Sequence, residues 1–124
     1  MQKDSLFERI GGLEAIMAAA DLFYEKVMRD PLLARFFQGI DMKRQNRKMV
    51  AFMTWAFDGP TEYKGRDLRT AHRDLVKSHG LNDSHFDAVA IHLSETLKEL
   101  GVAPALIDEA LAIVATTRDE VLNR

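Results

Sequence analysis

Apolar residues in this chain recur at helical spacing in one segment after another, and no stretch reads convincingly as a strand. That periodicity predicts an all-α fold of six or seven helices of unequal length. The 124 residues suffice for one domain with a real core and not for two, so 1–124 reads as a single unit.

Local signals divide the chain. Ser5-Leu-Phe-Glu8 is a capping-box pattern that opens a short helix, and Gly11-Gly12 ends it. A long helix over 13–29 carries the stripe Ile16, Met17, Ala20, Phe23, Tyr24 and Val27. Asp30-Pro31 stops and restarts the chain into a short apolar turn over 32–37. Asp41 caps a helix reaching 57, which Asp58-Gly59-Pro60-Thr61 breaks, and a loop runs to Gly65. The next helix starts near Asp67 and ends at His79-Gly80. Asn82-Asp83 caps another, with Phe86, Val89, Ala90, Leu93, Leu97 and Leu100 on one side and Gly101 as its stop. Pro104 opens the last helix, which buries Leu106, Ile107, Ala110, Leu111, Val114 and later Val121-Leu122.

Two of these helices have polar interruptions in their apolar stripes. Leu68, His72, Leu75 and Val76 fall at i, i+4, i+7 and i+8, so an imidazole sits within an apolar face. It needs either a hydrogen-bond partner, such as a backbone carbonyl, or a metal. On the helix starting at Asp41, Gln45, Lys48, Met49, Phe52 and Ala56 share a face that is polar at one end and apolar at the other. Two such helices, if they face each other, suit a cofactor held between them, with haem the leading candidate. Tyr24 poses a smaller version of the same question: its hydroxyl wants a partner if buried, or its tip lies in water.

The other histidines point elsewhere. His79 sits in a last helical turn, where it complements the dipole; His85 is expected exposed in a first turn; His92 is expected on a helix flank. His72 is thus expected to be the one histidine that combines burial with a position inside a helix. Without cysteine, disulfides and thiolate ligation are excluded. Nucleotide-binding glycine loops, di-iron Glu-x-x-His pairs, His-Glu-x-x-His and Gly-x-Ser-x-Gly are all missing. A single buried histidine is the number haem requires. A net charge of −2 does not favour nucleic acid, and no apolar run approaches a membrane span. The first residues lack a signal-peptide core, so a cytoplasmic location is the default expectation, and few exposed apolar patches are predictable, so a monomer is the default as well.

At this point the residues resemble the group I truncated haemoglobins. The matching pieces are Leu6-Phe7-Glu8-Arg9-Ile10-Gly11-Gly12, Phe23-Tyr24, Phe36-Phe37 and Ala51-Phe52-Met53-Thr54-Trp55-Ala56-Phe57-Asp58-Gly59-Pro60. Tyr63-Lys64-Gly65-Arg66, Ala71-His72, His85-Phe86-Asp87 and Val121-Leu122-Asn123 continue the match to the chain's end. Each piece is weak alone; their order and spacing are specific.

The resemblance implies a two-over-two helical sandwich around haem b, with His72 as proximal iron ligand. Tyr24 and Gln45 match residues that hydrogen-bond a bound ligand, and Met49 matches a second distal position where many relatives carry glutamine. Phe37 matches an aromatic wedge; Phe52, Leu68, Leu75, Phe86 and Val89 match pocket walls or lining; Arg44, Tyr63 and Arg66 are candidates to face the propionates. Lys48 matches a position where some relatives supply a second iron ligand. A neutral lysine could do so here, or it could snorkel to water. Thr117 lies near where certain relatives bond a histidine covalently to haem; no histidine occurs there, so no cross-link is expected.

The function implied is binding of O2, NO and CO, with NO dioxygenation served by an external, unidentified reductase, or oxygen storage or sensing. The rivals are a redox protein with iron held between His72 and Lys48, and a helical interaction module with no cofactor.

Overall fold

A computed structural model describes residues 5–59 and 66–124, with backbone alone at Arg66 and Asp67. Among these residues the fold is all-α: α1 (Leu6–Ile10), α2 (Gly12–Met28), α3 (Pro31–Ala34, continued by a 3-10 turn Arg35–Phe37), α4 (Met42–Ala56), α5 (Arg66–His79), α6 (Asp83–Glu99), α7 (Pro104–Ala115) and α8 (Arg118–Val121). The loop expected over 60–65, with Tyr63, lies outside the described residues, as does the Arg66 side chain.

The helix starts follow the predicted caps. Ser5 Oγ accepts from the Glu8 amide at 3.2 Å and Asp41 Oδ1 from Lys43 at 3.0 Å; at the Asp30-Pro31 restart, where the sequence reading places no cap, Asp30 Oδ1 accepts from Leu32 at 3.0 Å. The single helix predicted after Pro104 is two. The Thr116 and Thr117 hydroxyls each donate to a carbonyl three residues back at 2.6 Å, an alternative to the helical ladder that ends α7 and re-aims α8.

α2 is the axis. Its Ile16, Ala19, Ala20 and Val27 are fully buried between α4 and α6; α1 lies across α2 and α7, and α7 packs on α6. Met17, expected in that stripe, is 51% exposed, because it falls about 100° around the helix from Ile16. Leu100 is also exposed, since it is the residue that caps α6 rather than part of its last turn. The end of α4 docks on α1 through Phe7 N–H to Phe57 O at 2.8 Å. Gly59 permits this approach: a Cβ there would lie 2.6 Å from the Phe7 ring. No described helix is long and apolar enough to cross a membrane.

α4 has two apolar faces. Met53 and Phe57, just past the helix end, are fully buried in the core and Thr54 nearly so. The predicted stripe of Gln45, Met49, Phe52 and Ala56 lies round the helix from them and is only half-buried, and Lys48 is exposed. α4 thus buries one apolar face in protein and leaves a second half-open.

Candidate functional site

His72 lies at the centre of α5, half-buried. Its Nδ1 is 2.7 Å from the Leu68 carbonyl, one turn earlier. A carbonyl can only accept, so Nδ1 carries the proton and Nε2 carries the lone pair. Burial holds the imidazole below its ordinary pKa, against the opposing effect of the Leu68 carbonyl. The ring is therefore neutral, oriented, and offers a metal ligand on the nitrogen away from its own helix.

Tyr24 and Gln45 form a second polar pair. Tyr24 is 7% exposed, and Gln45 Nε2 donates to its hydroxyl oxygen at 3.0 Å. Burial pushes the phenol up to about 12 although the Gln45 bond pulls the other way. Since the Gln45 amide occupies a lone pair of that oxygen, the phenolic hydrogen is left to point elsewhere. Phe37 packs edge-on to Tyr24, with ring centroids 5.6 Å apart, and Phe23 flanks its other side at 5.1 Å.

The remaining predicted residues sort by burial. Leu68 and Phe86 are buried; Phe37, Met49, Phe52, Leu75 and Val89 are half-buried; Arg44 and Lys48 are exposed. The half-buried apolar side chains come from four elements, and α5 has α8 rather than α4 as its main packing partner. Half-open apolar faces on helices that do not close on one another fit a flat apolar cofactor. Among the described residues no group of three or more His, Cys, Asp or Glu could hold a metal ion. A neutral, oriented histidine among half-open apolar faces suits a macrocycle that brings its own nitrogens, and these residues fit haem.

The structure corrects the reading of His85. It is 4% exposed, more buried than His72, because Nδ1 accepts the Asn82 amide at 3.0 Å to complete a capping box. Its ring meets Phe36 edge-on at 4.9 Å. Arg35 stacks over Phe36 at 4.2 Å and donates to the His79 carbonyl at 3.1 Å, so the 3-10 turn that positions Phe37 also grips the end of α5. The spacing Asn82-x-x-His85 was the available signal for this cap. His79 is exposed in its last turn, and His92 is a flank residue paired with Asp30 at 2.7 Å, as their positions suggested.

A family model for bacterial-like globins matches residues 5–123. The chain is 54% identical over 119 residues to the group 1 truncated hemoglobin LI410 of Chlamydomonas moewusii, covering 96% of this chain and 68% of that one. It is 45% identical over 122 residues to the group 1 truncated hemoglobin GlbN of Synechocystis, covering 97% and 98%. In three dimensions it is similar to the 2/2 hemoglobin of Synechococcus sp. PCC 7002, solved in the cyanomet state with covalently attached heme, with a TM-score of 0.92, 46% identity and 98% and 100% coverage.

Proposed function

The chain belongs to the bacterial-like globin family, among its group 1 truncated haemoglobins, which bind haem and gases such as O2, and on that premise we propose that it holds haem b through His72 and consumes nitric oxide by dioxygenation. When bound, haem supplies an iron that takes a diatomic gas and exchanges single electrons.

The polypeptide's own share follows from named atoms. Nδ1–H donation to Leu68 O fixes the His72 ring and makes Nε2 a better donor of its lone pair. The observation that carries the reading is the Tyr24–Gln45 pair. A phenol with a pKa of about 12 keeps its proton at any physiological pH, so with its oxygen accepting from Gln45 its hydrogen is available to donate to a ligand beside it. Donation to a partly anionic ligand is charge-assisted and slows that ligand's escape. Met49 replaces the second amide common in relatives, which leaves Gln45 as the amide that supports Tyr24. Phe37, Phe52, Leu68, Leu75, Phe86 and Val89 supply apolar walls that exclude water. Arg44, Tyr63 and Arg66 are the proposed partners of the propionates.

The reaction needs electrons, and no flavin or nicotinamide module is legible in this sequence, so an external reductase is part of the proposal. The protein acts as a monomer in the cytoplasm on this reading. The covalent haem link belongs to the Synechococcus protein. Here position 117 is a threonine whose hydroxyl is committed to Val114 O, and the proposal includes no covalent link from the chain to the haem periphery.

Mixing NO with the reduced, oxygen-equilibrated protein tests the proposal: it predicts one nitrate per haem and a ferric product. Gas uptake without nitrate would leave oxygen storage or sensing. A second reading makes the protein a redox carrier with Lys48 as a sixth iron ligand. It rests on the place of Lys48 one turn beyond Gln45, at the edge of the half-open face. A ferric spectrum that is low-spin in the parent and high-spin in Lys48→Ala supports it; a spectrum unchanged by that substitution removes it.

A further inference from the structure

α5 carries His72, the proposed iron ligand, at its centre. Of its described side chains only Leu68 is buried, and α8 is its main packing partner. Leu68 and Leu75 are among the residues assigned to the haem pocket, so what other protein elements contribute to the placing of α5 is read from its directional bonds.

Those bonds come from the last residues of the chain. Asn123 Nδ2 donates to the Arg69 carbonyl at 3.0 Å, a half-buried contact. Arg69 is the next residue after Leu68, whose carbonyl orients His72. In return Arg69 Nη2 donates to the Arg124 carbonyl at 3.0 Å, and Arg69 Nε meets Glu120 at 3.1 Å. Asn123 sits in the left-handed region at φ 57°, a conformation that asparagine tolerates better than most residues. Buried Leu122 anchors the tail from within, and the Arg124 guanidinium anchors it from outside by binding both oxygens of Asp83 at 2.9 and 3.2 Å. Arg118 joins the same network, donating to Asp83 and Asp87 while lying 4.5 Å over the Phe86 ring.

We infer that residues 120–124 form a clamp on the proximal helix, and that Asn123 is a positioning residue that sets His72 by holding the Arg69 carbonyl beside the one His72 uses. The ion pairs of this network are exposed and contribute little singly. The Asn123 amide is uncharged and half-buried, and it acts on the backbone itself. Side-chain effects at position 123 are thereby passed to His72 through one turn of helix. The opposite end of α5 is held in the same manner by Arg35 on His79 O.

The inference rests on His72 being the iron ligand, and its test is chosen so that either claim can fail alone. Hydrogen–deuterium exchange of the haem-loaded protein is compared for the parent, Asn123→Gly and Asn123→Asp. The first variant keeps the left-handed backbone and removes the donor; the second keeps the shape and sets an oxygen against the carbonyl. Losing one such bond predicts about fivefold faster exchange over the first half of α5, with α2 and α7 unchanged. The iron–histidine stretching band of the reduced protein should shift or broaden in both variants. Arg69→Gln should produce the same pattern more weakly, which keeps the question answerable if a position-123 variant folds poorly. Glu99→Gln, which removes the Lys26–Glu99 pair of 2.9 Å between α2 and α6, should leave α5 and the band unaltered. Unchanged exchange in α5, or an equal increase throughout the molecule, would overturn the clamp. A parent protein that binds no haem would overturn the reading of His72, and the same exchange comparison made without haem would still uphold or overturn the clamp.

Discussion

Replacing Tyr24 with phenylalanine removes one oxygen and little else. The ring keeps its edge contacts to Phe23 and Phe37, so packing is preserved. What is lost is the acceptor for Gln45 Nε2 and the donor proposed to face the ligand. Leaving a half-buried amide without its partner costs about 1 kcal/mol, which lowers Tm by roughly 3–6 °C for a domain of this size. The effect on bound oxygen is larger. A hydrogen bond to a charged acceptor contributes about 1.5–3 kcal/mol, a factor of about 10 to 150 in escape rate at 1.4 kcal/mol per decade. Gln45 becomes free to turn toward the ligand and recover part of this, so the lower half of the range is expected. The assay is stopped-flow displacement of oxygen by CO, with CO escape measured in parallel. Oxygen should leave about 10- to 40-fold faster, while CO, which carries little charge when bound, changes by less than about threefold. An oxygen rate within twofold of the parent, or an equal acceleration of both gases, would refute the assignment of Tyr24 as donor.

Three further perturbations follow from the same geometry. His85→Ala leaves the Asn82 amide uncapped and vacates the contact with Phe36, so it should lower stability by about 1–3 kcal/mol in a urea titration, with His85→Gln recovering part of this. Gly59→Ala drives a Cβ into Phe7 and the Thr54 methyl, at 2.6 and 2.9 Å, and should cost about 1–3 kcal/mol by the same measurement. Acid should release haem through His72. The unfolded imidazole gains its proton near the ordinary 6.5 and the folded one only lower, so the unfolded chain binds more protons in that interval. Stability contributed by the neutral ring is full above 6.5 and falls as pH drops through the folded value; the haem absorption band followed against pH checks this.

The helices, and the places of Tyr24, Gln45 and His72 on them, were legible because they follow local rules. Caps at Ser5, Asp41 and Asn82 are short-range chemistry, and Tyr24, Gln45 and His72 each interrupt an apolar stripe. What was not legible depends on pairings between distant residues. His85 reads as a first-turn surface residue until Phe36, 49 positions earlier, is placed against its ring. Met17 and Leu100 are apolar by type, and only the packing of α2 and the end of α6 put them outside the core. Asn123 and Arg69 carry no periodic signal, since a side chain reaching a backbone carbonyl 54 residues away follows from topology and not from spacing. On α4 the buried residues are Met53, Thr54 and Phe57, outside the predicted face, which is half-buried and leaves Lys48 exposed; the sequence does not distinguish a face buried by protein from one left half-open.

The central claim is that His72 Nε2 holds haem iron, and spectral titration of the protein with haemin tests it most directly. The parent is expected to bind one haem per chain and, when reduced and exposed to CO, to display the absorption of a histidine-ligated ferrous haem. In His72→Gly that spectrum should be lost, and added imidazole should restore it. No specific haem spectrum in the parent, or the same spectrum in both proteins without imidazole, would contradict the account.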